Sequence, residues 1–420
     1  MSRKLLITLI AGLIIILGAL AWFFFFNSST PNQTNQTTGT GLPFGQSPDN
    51  VSTSGSSTTS GSSISTGVNS QGKPVSKLFR VSDSPVAGMV AFNKNKILTV
   101  RFVDRATGHI VDADPTTLEK TSITNNTYPK IQEAYFKNDG SAVLLRDLKN
   151  DSDTIENISL ALTAPKSITV ASGTPPQAVA TTDTLYSVKA LLLNGNIDDV
   201  SVGPTNSLAY ILKDTGSIIT SLFDGSKGLN LFTSGFNDWR ISWPTNNTVN
   251  ITTKAGTDIS GFSYNLNTTN GALTKILGPL NALTALESSD GKNIAYSYVS
   301  SGETVFFYKN FVDKSSGKVL PTTFADKCVW GKKNTNILYC GTPTDTINQG
   351  EPDNWYKGAT HFSDQIWKFN VLTKTSEVLV EPKKDFGVDL DLINPILSPD
   401  EDYIFFINKN DLTLWALKLK

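Results

Sequence analysis

Histidine, methionine and cysteine each occur only twice in 420 residues. His109 and His361 stand alone, and Cys328 and Cys340 are not spaced Cys-x-x-Cys. That excludes a zinc site of the usual Cys/His spacing and a vicinal dithiol redox motif. Charge is sparse too, at 17% of residues, with a net charge of −1. There is no basic field for nucleic acid and no acidic tail. The chain has no G-x-S-x-G elbow, no phosphate-binding loop, no dinucleotide fingerprint and no Ser-x-Asp-x-Gly-x-Thr-Trp box. The paired acids Asp198/Asp199 and Asp389/Asp391 match neither an EF-hand loop nor a metal-binding repeat, and read as turn and strand-edge residues. No cofactor, metal or nucleic-acid partner is expected.

One long apolar run is present. Leu5 to Phe26 reads LLITLIAGLIIILGALAWFFFF, without a charge. As a helix it extends about 33 Å, enough for a hydrocarbon core about 30 Å thick. Arg3 and Lys4 precede it, and the next basic residue is Lys73. The positive-inside rule then keeps the N-terminus cytoplasmic and puts everything after Phe26 outside, with Trp22 at the outer interface. Ala19-Leu20-Ala21 has the small-x-small form of a signal-peptidase site. Cleavage there would leave a mature chain beginning Trp-Phe-Phe-Phe-Phe, and the run exceeds a usual h-region of about 7–15 residues. An uncleaved single-pass signal anchor over residues 1–26 is the preferred assignment.

Residues 27–75 are almost entirely Ser, Thr, Gly, Asn, Gln and Pro. Too little apolar material is present to offset the entropy of ordering. A disordered tether is expected, with an end-to-end distance of about 35–42 Å if it behaves as a Gly/Ser-type coil.

From residue 76 to 420, short β-rich runs alternate with turn clusters in a recurring unit. A strand ends in Ser, Pro, Asp, Gly or Asn, residues that accept tight-turn dihedrals or bond their own backbone. A very apolar strand returns, buried on both faces, and two more follow. The clearest copy runs from Ile393 through Ser398-Pro399-Asp400 to Tyr403-Ile-Phe-Phe-Ile-Asn, then Leu412-Thr-Leu-Trp-Ala-Leu. First strands are expected near Gly88, Glu133, Val200, Arg240, Leu286, Cys328 and Ile393. Most gaps are close to the roughly 40–45 residues of a four-stranded propeller blade. Two longer gaps hold insertions, Thr163 to Val179 and Gly341 to Ser363.

Ser398-Pro399-Asp400, Ser289-Asp290-Gly291-Lys292 and Asn138-Asp139-Gly140 resemble the strand-turn-strand motif of TolB-like and WD40-like β-propeller repeats. The Gly-His and Trp-Asp signatures of true WD40 blades are absent, so the looser TolB-like class fits better. The resemblance implies an all-β fold and says little of activity. Seven four-stranded blades are expected, ahead of six, eight or a pair of β-sandwiches. The last blade runs out of chain after three strands. Lys77-Leu-Phe-Arg-Val-Ser82 resembles the fourth strands elsewhere and is expected to complete that blade, closing the ring and removing its exposed edges.

Two features invite chemistry. Cys328 and Cys340 flank Gly331-Lys-Lys-Asn-Thr-Asn in one hairpin. A hairpin symmetric about Asn334 sets them directly opposite, about 4.5–5.5 Å apart at Cα, and a disulfide follows in an oxidising compartment. The second insertion would join the second and third strands of one blade, on the face that carries the blade-to-blade connections. Its Glu351, Asp353, Trp355, Tyr356, His361, Phe362 and Asp364 suit an aromatic and acidic surface for a sugar or peptide. The reading preferred over that surface is that Trp355 and Tyr356 pack the loop onto its own blade, with Asp364 forming a turn, because a long loop needs anchors of its own. The expected role is a binding or scaffolding module held at the cell membrane with its propeller outside, recognising a protein, peptide or envelope polymer, rather than an enzyme. The alternative is an extracytoplasmic hydrolase or lyase whose acids converge in the propeller channel. Three or more charged side chains at one channel mouth would favour it.

Overall fold

The computed structural model describes residues 76–149, 153–165, 185–193 and 195–420. The anchor expected over residues 5–26, the tether over 27–75 and most of the first insertion lie outside them. Among the described residues no helix is long and apolar enough to cross a membrane. Helices there are single turns, at Asp353–Tyr356 and Pro382–Phe386, with a 3-10 turn at Ala325–Lys327.

Everything else regular is antiparallel strand, in six hydrogen-bonded sheets lettered in chain order. Sheets A (residues 86–122), B (133–192), C (197–233) and E (328–380) each hold four strands in sequence order. Sheet D (239–318) holds seven. Its middle strand, Leu273–Glu287, is 15 residues long and pairs with the preceding strand up to Asn281 and with the following strand from Asn281 onward. Sheet F consists of Leu392–Leu397, Tyr403–Asn408 and Leu414–Lys418, completed by Leu78–Arg80 from the start of the domain. Leu78 pairs with Leu417 and Arg80 with Trp415, so the closure read from the sequence is present.

The expected first strands are the inner ones. Val86–Lys94, Glu133–Phe136, Ile197–Val202 and Trp239–Thr245 each pack against the next, and the circuit continues through Leu273–Glu287, Cys328–Trp330 and Leu392–Leu397 back to Val86–Lys94. This is a β-propeller, and the fold-level likeness of its turns to propeller repeats holds.

Local chemistry makes the turns. At Gly140 the backbone adopts φ +70°, its N–H donating to the Lys137 carbonyl, while Asp139 Oδ1 accepts from the backbone and hydroxyl of Ser141. Ser398 Oγ accepts from the N–H groups of Asp402 and Tyr403 and so turns the chain into the last sheet's second strand. That strand, Tyr403–Asn408, is buried throughout. Its alternate side chains enter different clusters: Ile404 and Phe406 pack between sheets E and F, Tyr403, Phe405 and Ile407 between F and A. The core is thus a set of wedges between neighbouring sheets, so each sheet needs both neighbours to bury its faces.

Cys328 and Cys340 are directly paired in register and form a disulfide, with Cα atoms 4.1 Å apart.

Candidate functional site

The inner strands enclose a cavity of about 410 Å³ lined from sheets A, B, C, D and F, with Lys332 from the hairpin of sheet E. Glu133 and Arg240 stand at the starts of their inner strands, whereas Asn138 and Lys332 follow the ends of theirs. The cavity therefore runs along the propeller channel from one face to the other.

At the Glu133 end, charges from several sheets converge. Arg146, buried in sheet B, ion-pairs with Glu133 and donates through Nη2 to the carbonyls of Ile197 (2.8 Å) and Asp198 (2.9 Å) in sheet C. Every nitrogen of its fork is engaged, since Nε donates to Asn157 Oδ1. The Tyr135 hydroxyl donates to Glu133 Oε2 at 3.3 Å. Burial, then the charges of Glu133 and Asp199, hold that phenol neutral far above the usual tyrosine range. Asp199 Oδ2 accepts from the Ile241 N–H at 2.8 Å, stitching sheet C to sheet D. Burial pushes the Asp199 carboxyl up, against the pull of Arg240 and Arg146.

Arg240 is different. Burial opposes its charge, but the nearby carboxylates of Asp326 and Asp199 outweigh that and hold the guanidinium protonated. Its Cζ lies 5.4 Å from the Tyr356 ring centroid. Among the described residues its guanidinium makes no hydrogen bond or ion pair, although it is exposed to the channel. Protein surrounds it and water reaches it. A fork of five donors with no acceptor in place is a recognition element for a carboxylate or phosphate.

The second insertion meets this mouth from the side. The Tyr356 hydroxyl donates to Asp326 Oδ2 at 2.5 Å, which sets its ring beside Arg240. Asp353 Oδ2 accepts from the N–H (3.1 Å) and hydroxyl (3.0 Å) of Thr257, in the turn between the second and third strands of sheet D. Trp355 and Glu351 point inward, 3% and 2% exposed. The Glu351 carboxylate accepts from the Trp355 N–H. Only His361 of the residues singled out lies largely in the open, with Nδ1 4.0 Å from Asp391 Oδ2. The loop residues therefore divide, Tyr356 facing the channel mouth and Trp355 and Glu351 a second, closed site.

That closed site is centred on Lys327, which has no exposed surface. Its Nζ lies 2.5 Å from Asp391 Oδ1 and 2.8 Å from Asp364 Oδ2, both carboxylates being equally sealed. Trp355 caps the ammonium at 4.7 Å and Phe362 at 5.2 Å, and Phe324 stacks on Trp355. Asp391 is saturated with donors, from Trp355 Nε1 to both oxygens and from the Phe362 N–H to Oδ2. Asp364 Oδ2 also accepts from the Leu392 N–H at 2.7 Å, but its Oδ1 is buried without a partner. Burial pushes the Asp364 carboxyl up to about 6, with Lys327 pulling it down and Asp391 adding to the rise.

The sequence matches no known protein family, and no curated protein is similar to it. Solved structures are similar in fold. An oligogalacturonate lyase from Vibrio parahaemolyticus superposes with a TM-score of 0.51 at 11% identity, covering 82% of this chain and 93% of its own. An oligogalacturonate lyase in complex with manganese gives 0.53 at 10% identity, with the same coverage. The tricorn protease gives 0.50 at 10% identity over 80% of this chain and 33% of its own. All are β-propellers. At such identities the likeness is one of fold. Among the described residues no group of three or more His, Cys, Asp or Glu is placed to hold a metal.

Proposed function

We propose that this chain is a membrane-tethered, extracytoplasmic propeller of seven four-stranded blades that binds a carboxylate-bearing saccharide or peptide at the mouth of its channel. The observation that carries this reading is Arg240, protonated, open to the channel and, among the described residues, without an acceptor, beside a cavity of about 410 Å³. Tyr135, which lines the cavity, offers a flat apolar face for a sugar ring or side chain, and Tyr356 backs the guanidinium. The blade count is supported by the long strand Leu273–Glu287, which serves sheet D twice, as the outer strand of one blade and the inner strand of the next. An experimental map with six or eight blades would overturn it.

The location rests on the apolar run and on the disulfide, which suits an oxidising compartment. N-terminal sequencing of membrane-extracted protein tests the anchor, and a mature chain starting near Trp22 would refute it. For the ligand, calorimetric titration of the detergent-solubilised full chain with acidic and neutral oligosaccharides and with acidic peptides is decisive. Binding of an acidic ligand that Arg240→Gln abolishes supports the proposal. Equal binding by both proteins refutes it.

A lyase or hydrolase stands as the second reading. It is favoured by the meeting of Glu133, Arg146, Asp199 and Arg240 at one mouth, and by the propeller likeness to two oligogalacturonate lyases. Release of unsaturated products from an acidic oligosaccharide would establish it over simple binding.

A further inference from the structure

Ligand binding at the mouth makes no use of the closed site around Lys327, whose composition is unusual for a plain ion pair. One ammonium faces two carboxylates at contact distance, all three groups without exposed surface, under a lid of aromatic rings. Two opposite charges sealed from water carry a large desolvation penalty that their attraction does not always offset. An amide made from the same two groups is neutral and carries no such penalty.

We propose that Lys327 and Asp391 condense in the folded protein to an isopeptide bond between Nζ and Cγ, with Asp364 as the proton carrier. The ammonium gives one proton to Asp391 Oδ1, which makes that carboxyl neutral, and the resulting amine attacks its Cγ; Asp364 takes a second proton from the added nitrogen and passes it to the leaving oxygen. Trp355 Nε1 and the Phe362 N–H, which already donate to the Asp391 oxygens, hold the charge that builds on them in the tetrahedral intermediate. The C–O bond to one oxygen breaks and that oxygen leaves as water. Of the three ammonium protons, one stays on the amide nitrogen and two depart with the oxygen. Atoms and charge balance, and no oxidant or co-reactant is required.

Each part matches an observation. The nucleophile lies 2.5 Å from an oxygen of its electrophile, so the reaction is intramolecular and pre-oriented. Asp364 touches the same Nζ at 2.8 Å and has a buried oxygen, Oδ1, that makes no other bond. Burial raises its carboxyl to about 6, which fits it to take and return a proton near neutrality. The aromatic lid excludes the water that would reverse the condensation. The bond would join the connection entering the inner strand of sheet E to the one entering sheet F, closing a loop that contains the disulfide.

Peptide mass spectrometry tests for the bond directly. The purified full chain is reduced, alkylated, denatured and digested with trypsin. The expected product is a branched species joining the Lys327 and Asp391 peptides, lighter than their sum by one water, with no cleavage after Lys327. Recovery of the two residues only in separate, unmodified peptides overturns the proposal. A bond to Asp364, or water loss on a peptide lacking Lys327, does the same. Asp391→Asn should form the same bond with loss of ammonia, and Asp364→Ala should leave the peptides separate. Should either variant fail to fold by circular dichroism, the wild-type digest alone still distinguishes an amide from an ion pair.

Discussion

The channel mouth and the Lys327 cage lie on the same face of the propeller, draw on the same insertion and are built from the same materials. Each combines a cation, acids and aromatic rings. They differ in solvent and in saturation. In the cage, Lys327, Asp364 and Asp391 have no exposed surface and Asp391 accepts from every side. At the mouth, Glu133 is half exposed and Arg240 lies in the channel without an acceptor among the described residues. A sealed charge cluster, saturated here except at Asp364 Oδ1, holds a fold together. An enclosed but wet and unsaturated one is ready to accept a ligand.

The contrast is tested most severely by removing each cation in turn. Lys327→Met leaves two carboxylates buried together and should lower stability by about 3–5 kcal/mol in denaturant titrations. A loss below about 1 kcal/mol would mean that the cage is no pin. The next effect is pH-dependent. The Asp364 carboxyl sits at about 6 in the fold, above its usual 3.8, so the native state binds its proton more tightly than the unfolded chain. Its contribution is therefore fully favourable below about pH 4, declines as pH rises to about 6 and is absent above that. The difference across that window is about 2–3 kcal/mol. Asp364→Asn should flatten this part of the stability–pH curve, and an unchanged curve would place the titration elsewhere. Trp355→Phe keeps the ring over Lys327 but deletes the indole donor to Asp391, at a cost of about 2 kcal/mol by thermal or chemical unfolding. At the mouth, Arg240→Gln should alter stability by less than about 1 kcal/mol while removing acidic-ligand affinity. A large destabilisation would make Arg240 a structural residue instead.

What is legible in the sequence is local. The turn at Asn138-Asp139-Gly140 and the one at Ser398 are written in residues that bond their own backbone, so they are readable without the fold. Cys328 and Cys340 are readable as partners because one hairpin fixes their register. Lys77–Ser82 is readable as the missing strand because the final sheet runs short. The charged mouth is not legible, since Glu133, Asp199, Arg240 and Asp326 come from four places around the ring and only its geometry brings them together. In sequence Arg240 marks merely the centre of a strand. Lys327 gives no sign of burial, being one of 36 basic residues, and Asp391 passes for a strand-edge acid. Tyr356 and Trp355 are neighbours in sequence, yet one faces the mouth and the other the cage. Composition holds no record of that divergence.

The closing strand has a mechanical consequence. Leu78 packs into the wedge between sheets E and F, while Phe79 and Val81 pack into the wedge between F and A. Three paired residues, Leu78 to Arg80, and the Val81 that follows thus grip the ring on both sides of its last sheet. The strand lies antiparallel to Leu414–Lys418, so a pull on the start of the domain reaches this pairing before that of any other sheet. The seam that makes the propeller a ring is thus also the place where such a force arrives.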